Sequence, residues 1–128
     1  MLFRSRISQE IGLVGQAAPP IAVDKWFQGK ADYSDKKATL VIFWEQWCPH
    51  CKEEMPKMQP LSEKWKDKLQ VIGMTKVTKN STDDLVMQFL KENNIKFAVG
   101  KEKEASMSQA FSVSGIPAAA IEIGRAHV

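Results

Sequence analysis

Thr39-Leu40-Val41-Ile42-Phe43-Trp44-Glu45-Gln46-Trp47-Cys48-Pro49-His50-Cys51 is the stretch that decides the fold. Its first six residues are β-branched, aliphatic or aromatic without a charge, the pattern of a central strand covered on both faces. Its end carries the only two cysteines of the chain, three positions apart. After them Cys51, Met55, Met58, Trp65 and Leu69 recur at helical spacing, with Glu53, Lys57, Glu63 and Lys64 between them. Strand, cysteine pair, helix is an order that puts the first thiol at a helix N-terminus, where unpaired N–H groups and the helix dipole favour thiolate over thiol. Cys48 is therefore the candidate nucleophile, and Cys51, one turn inside the helix, the candidate resolving thiol.

The neighbours of the pair have physical readings of their own. Pro49 suits the first helical turn, where it has no needed N–H to lose. His50, between the sulfurs, supplies a dipole or positive charge that further stabilises a thiolate on Cys48. Trp44 and Trp47 are expected to bracket the cysteines as an apolar rim that binds a polypeptide or small-thiol partner. Other uses of two cysteines remain open. A permanent staple across so short a loop closes little entropy, and zinc would have to make do with two cysteines, His50 and the distant His127. Copper held by the soft sulfurs with Met55 or Met58 is the stronger metal alternative. Redox chemistry carried by a Cys48–Cys51 disulfide, with no other cofactor and no metal, is the preferred reading.

A chain of 128 residues with 44% apolar and 26% charged content has room for one domain with a real core. Its net charge of +3 comes from interspersed lysines and carboxylates, which gives no support to nucleic-acid or membrane-surface binding. No stretch approaches the roughly 18 apolar residues of a membrane span. Arg4 and Arg6 precede no apolar run of a signal peptide. A lone cysteine pair of this spacing does not fix the compartment.

Along the chain, residues 1–18 read as a flexible lead-in and 19–128 as the domain. Ile21 to Val23, Trp26-Phe27, the turn-prone Gln28-Gly29-Lys30 and Ala31 to Tyr33 suggest an N-terminal β-hairpin. Pro56 and Pro60 are expected to kink or break the helix after the cysteines. Leu69 to Met74 reads as a second buried strand. Ser81 or Thr82 then caps a helix that turns Leu85, Val86, Phe89 and Leu90 to the core and ends at Asn93-Asn94. Ile95 to Val99 reads as a third strand, Lys101 to Phe111 as a short helix, and Ala118 to Ile123 as the last strand.

These residues together resemble the thioredoxin superfamily, and within it the TlpA/ResA-like thiol-disulfide oxidoreductases. The N-terminal hairpin before the first central strand, Phe43-Trp44-x-x-Trp47-Cys48-x-x-Cys51, Pro56 eight residues after the first cysteine, and Gly115-Ile116-Pro117 before the last strand carry the likeness over about residues 17–123. The resemblance implies an α/β fold with a central mixed sheet flanked by helices and an N-terminal hairpin. It implies a cis Ile116–Pro117 bond beside the cysteines, with Ile116 and Pro117 facing an extended partner peptide. It also implies exchange of disulfides with protein thiols, a recycling redox partner, and a periplasmic or otherwise extracytoplasmic location, a cytoplasmic one being the alternative.

Three departures qualify the likeness. Where thioredoxins carry a buried Asp six residues before the first cysteine, this chain has Ile42. Glu45 is the candidate substitute proton relay, a solvated loop carboxylate being its plainer reading. The Pro-His dipeptide is typical of DsbA-like oxidants, so direction stays open. The chain also ends at Val128, short of the family's last strand and C-terminal helix. This predicts an exposed sheet edge and apolar face, with self-association through them. A copper chaperone and a non-catalytic interaction module are the competing functions; a peroxidase is disfavoured, because no Thr or Ser stands three residues before a lone cysteine.

Overall fold

The run that opens at Thr39 becomes the middle of the sheet because neither of its faces has to meet water. The structure, a computed structural model, describes residues 9–10, 19–33 and 37–122. In chain order the elements are β1 (Gln9–Glu10), β2 (Val23–Gln28), β3 (Ala38–Trp44), α1 (Pro49–Lys64), β4 (Leu69–Thr75), α2 (Asp83–Glu92), β5 (Ala98–Glu102), α3 (Ser106–Ala110) and β6 (Ala118–Glu122). They build one mixed sheet in the order β1-β6-β3-β4-β5-β2. β3, β4 and β5 are mutually parallel, β6 is antiparallel to β3, and β2 is antiparallel to β5. This is the thioredoxin-like α/β architecture expected above.

Successive side chains of a strand point to opposite faces, and β3 divides its residues accordingly. Leu40, Ile42 and Trp44 join Cys51, Met55 and Met58 of α1 and Val86 and Leu90 of α2 in one core layer. Val41 and Phe43 join Met107 and Phe111 around α3 in the other. Ring contacts fix both layers: Trp44 lies 5.2 Å from Phe89 and Phe43 lies 5.4 Å from Phe111, centroid to centroid.

Several boundaries differ from the expectation. β2 has no hairpin partner at residues 31–33; it pairs with β5 instead. The Gln28 amide donates to the carbonyls of Ile95 and Phe97, and Gly29, at φ 62°, lies so close to Ala98 that an added Cβ would sit 3.1 Å from its Cα. Those contacts draw the segment to the far edge of the sheet. α1 is not broken by Pro56 and Pro60 and runs sixteen residues through both. Its buried Cys51, Met55 and Met58 hold it to the sheet, while the Gln59 side chain accepts from the amides of Lys96 and Phe97 at 2.7 and 3.3 Å.

The helical stripe stops at Lys64, since Trp65 caps the helix and is 44% exposed, and Leu69 belongs to β4. Thr82 caps α2 through the amide of Leu85, but Leu85 itself is exposed. The third strand starts at Ala98 rather than Ile95, because the backbone groups at residues 95–97 are taken by the side chains of Gln28 and Gln59. The helix expected from Lys101 shrinks to α3. Lys101 and Glu102 extend β5, and Glu104 and Ala105 adopt left-handed φ values of 51° and 62°. The buried Glu102 carboxylate then accepts from the amide and hydroxyl of Ser108, fastening α3 to the sheet.

Gln9–Glu10, inside the segment read as a lead-in, pair parallel with Ala118 and Ala119 of β6, covering at those residues an edge expected to be open. The rest of that lead-in, residues 34–36 of the connection before β3, and residues 123–128 lie outside the described residues. An apolar hollow is lined by Leu40, Leu61, Trp65, Leu69 and Ile121. Among the described residues no helix is long and apolar enough to cross a membrane.

Candidate active site

β3 delivers its C-terminal end to the start of α1, and the cysteines follow within one turn. Cys48 is the N-cap of α1 with extended backbone (φ −75°, ψ 122°), and Pro49 occupies the first helical turn. The Cys48 amide donates to the Glu45 carbonyl at 3.2 Å, closing the turn between strand and helix. No side chain caps this helix, so its first N–H groups remain available to a negative charge at the Cys48 sulfur.

Both cysteines are free thiols. Cys48 is 7% exposed and Cys51 has no exposure, the asymmetry expected of attacking and resolving thiols. Across from them stands the loop before β6, with a cis Ile116–Pro117 bond as the resemblance implied. The Cys48 Sγ donates toward the Ile116 carbonyl oxygen at 3.9 Å, so this loop faces the outer sulfur. Pro117 is buried and Ile116 half-buried, while His50 and Pro49 are exposed beside the pair.

The two tryptophans separate. Trp47, 44% exposed, is available at the rim. Trp44 is not on the rim: it is 1% exposed and packs in the core against Phe89. The alternation of β3 turns it inward with Leu40 and Ile42, which corrects its assignment to substrate binding.

Glu45 is also placed differently from its plainer reading as a solvated loop carboxylate, being only 8% exposed. Its carboxylate accepts from the Thr78 hydroxyl at 3.5 Å, and the next residue, Gln46, donates from its amide to the Asn80 carbonyl. The loop after β4 is thus fastened to the turn that leads into Cys48. Thr78 and Asn80 went unnoticed in the sequence. They lie 33 and 34 positions from their partners, and a loop of Lys, Thr, Asn and Ser has no periodicity to reveal such a contact.

Burial pushes the Cys51 thiol far above its ordinary range, and the neighbouring Cys48 and the Glu45 carboxylate push it the same way. Hydrogen bonding to the Glu45 backbone, the next largest influence after burial, pulls in the other direction without offsetting it. Cys51 is thus a proton-bearing thiol at neutral pH.

A family model described as AhpC/TSA matches residues 14–124, most of the chain and every site residue above. The chain belongs to the AhpC/TSA family. Among similar proteins, the thiol-disulfide oxidoreductase ResA of Bacillus cereus is 30% identical over 120 residues, 91% of this chain and 68% of the relative. The thioredoxin-like protein YneN of Bacillus subtilis is 27% identical over 80% of this chain, which spans only 62% of YneN. The crystal structure of a thiol-disulfide isomerase from Corynebacterium glutamicum superposes with a TM-score of 0.71 at 24% identity, covering 82% of this chain and 79% of that one. The thioredoxin-like fold and the ResA-like membership read from the sequence are both borne out.

In this family member the burial of Cys51 has a measurable consequence. The folded chain resists ionising Cys51 and the unfolded chain does not. The stabilisation tied to the neutral thiol is therefore complete below the ordinary value of 9.0 and is lost as pH rises above it. Urea denaturation of reduced wild-type and Cys51→Ala proteins from about pH 7 to about pH 10 is expected to show a steeper alkaline loss in the wild type. Iodoacetamide at pH 8 is expected to alkylate Cys48 and leave Cys51 intact.

Proposed function

We propose that this protein is a thiol-disulfide oxidoreductase that exchanges disulfides with protein thiols through Cys48-Pro49-His50-Cys51. The observation that carries the reading is the pair of free thiols at the start of α1, Cys48 at the N-cap against the Ile116 carbonyl and Cys51 buried one turn behind it. As a reductant, the Cys48 thiolate attacks one sulfur of a substrate disulfide, and the other substrate sulfur leaves with the electron pair. Cys51 then gives up its proton and attacks the Cys48 sulfur. A Cys48–Cys51 disulfide forms, the mixed disulfide breaks, and the substrate departs as a dithiol. Run in reverse, the same steps oxidise a dithiol.

Trp47 and Ile116 offer an exposed and a half-buried apolar surface on either side of Cys48 for the partner polypeptide. Pro49 starts the helix, His50 stands exposed beside the cysteine pair, and Pro117 backs the partner-facing loop. The redox-active disulfide serves in place of a cofactor, and a second redox protein recycles it. Resemblance to the ResA-like proteins supports a reductant on the extracytoplasmic side, while His50 favours a more oxidising poise. Among the described residues no group of three or more His, Cys, Asp or Glu is placed to hold a metal ion, and stoichiometric copper(I) binding that survives glutathione competition would favour the copper alternative.

A glutathione redox titration, followed by tryptophan fluorescence and thiol alkylation, tests the reading. A midpoint near about −270 mV, the thioredoxin value, is the expected outcome for a reductant; one near about −120 mV reverses the direction but keeps the chemistry. Absence of any two-electron transition overturns the proposal.

A further inference from the structure

α2 carries apolar side chains that the core does not absorb. Val86 and Leu90 are buried, but Leu85 and Phe89, each one position earlier and so on the adjoining side of the helix, are 41% exposed and half-buried respectively. With Gln88 and Glu92 they make two rows at i, i+4 spacing. These rows form one wall of a depression of about 360 Å³, and Gln46 and Lys52 stand on the other. The depression opens at the redox site. Gln46 lies in the turn two residues before Cys48, and Lys52 follows Cys51 and donates its backbone amide to the Cys48 carbonyl at 2.9 Å. Lys52 is therefore one helical turn, about 5.4 Å, along α1 from Cys48.

The walls are held in place from within the chain. At the cysteine end the Gln46 amide donates to the carbonyl of Asn80, in the loop before α2. At the other end Gln59 of α1 accepts from the amides of Lys96 and Phe97, just beyond α2. The two helices thus run the same way with the groove between them. Phe89 is fixed against Trp44, ring centroids 5.2 Å apart, and the Gln88 amide donates to the Glu92 carboxylate at 2.8 Å. Charge is placed unevenly along this groove. Lys52, near the cysteines, pairs with no carboxylate among the described residues, and Glu92, near the far end of α2, is held by a neutral amide.

We infer that the groove between α1 and α2 is a docking subsite for the disulfide-bearing polypeptide. It takes the extended segment beside the reacting cysteine, with an acidic residue against Lys52, an apolar one on Leu85 and Phe89, and a basic one toward Glu92. The inference rests on the oxidoreductase reading and names the kind of substrate sequence that the site prefers. An extended chain advances about 3.3 Å per residue. A residue two positions from a cysteine joined to Cys48 therefore comes level with Lys52, and the next two come level with the rows of α2. Trp47 and Ile116 flank the reacting cysteine itself, and the groove reads the sequence next to it.

The test is a stopped-flow reaction of the reduced protein with peptides whose central cysteine carries a 2-thiopyridyl disulfide. The Cys48 thiolate attacks the peptide sulfur, the bond between Cys48 and the peptide forms, and 2-thiopyridone leaves with the bonding electrons, read by its absorbance. The reference peptide has glycine, aspartate, leucine and lysine, in that order outward from the cysteine, on both sides. Serine in place of its leucines is expected to slow release about tenfold, the scale of one partly buried leucine. Exchanging its aspartates with its lysines, which leaves the net charge unchanged, is expected to slow release about threefold. Leu85→Ser is expected to erase the leucine preference and Lys52→Glu to reverse the charge preference; both positions are exposed, so the fold tolerates either change. Each preference is a ratio between peptides on one protein, so a change in Cys48 reactivity cancels. Equal rates for all the peptides on the wild type overturn the inference, as does a leucine preference that persists in Leu85→Ser or a charge preference that persists in Lys52→Glu. A wild-type protein that releases no thiopyridone from any peptide or from the small, neutral 2,2′-dithiodipyridine overturns the oxidoreductase reading instead.

Discussion

Replacing Cys48 with serine is expected to lower the rate of disulfide reduction by roughly 10³-fold or more, whereas replacing Cys51 with serine is expected to stop the reaction half-way. The two outcomes differ because the thiols occupy different positions on α1. Cys48 caps the helix, its sulfur faces the Ile116 carbonyl, and it retains some exposure. Serine there offers a hydroxyl that stays protonated and cannot replace the thiolate. Cys51 has no exposure and no route to an outside disulfide, so it cannot take over the attack. In Cys51→Ser the first step proceeds, but no second thiol remains in a chain that has only two cysteines. The mixed disulfide should accumulate as a covalent adduct with a disulfide-bearing protein such as insulin, read as a mass increase that disappears on reduction. An adduct on Cys48→Ser, or none on Cys51→Ser, would exchange the two roles or abolish them.

What the sequence disclosed and what it hid follow from the range of the forces involved. β3 and the start of α1 are legible because their signals are local: an uncharged apolar run, a proline after a cysteine, a helical stripe of sulfur and apolar residues. The proposed cysteine roles rest on the same few positions. Trp44 was misread because an apolar run says that both faces are covered without saying which residue stops short of the rim; the alternation that carries Leu40 and Ile42 inward settles it. The start of β5 was misplaced because Ile95 and Phe97 satisfy their backbone groups with the Gln28 and Gln59 side chains, from segments far away in the chain. The hairpin was expected because a turn sequence separates two apolar clusters. The alternative partner, β5, lies some seventy positions on and leaves no mark near the turn. Thr78 escaped notice for the same reason: its only significance is a contact across two loops.

Replacing Trp44 with alanine is expected to destabilise the domain by about 3–5 kcal/mol, the range for a large aromatic removed from a packed core. The side chain is 1% exposed, stacks at a tilt on Phe89, and lies close enough to Gly73 that a Cβ there would sit 3.1 Å from its Nε1. Alanine therefore leaves a cavity between β3, β4 and α2 that rigid strands cannot close. The indole N–H has no hydrogen-bond partner among the described residues, so the cost comes from lost packing and not from a broken polar contact. Trp44→Phe, which removes that N–H and keeps most of the volume, is accordingly expected to lose less than about 1.5 kcal/mol. Against a total stability of about 5–15 kcal/mol, the alanine variant should show a sharply lower urea midpoint. Trp47→Ala separates the two tryptophans: a residue 44% exposed contributes little to the core, so its midpoint should move by less than about 0.5 kcal/mol while the KM for a protein disulfide rises. If Trp44→Ala instead lost under about 1 kcal/mol and raised the KM, the indole would belong to the partner surface and the inward register of β3 would be wrong.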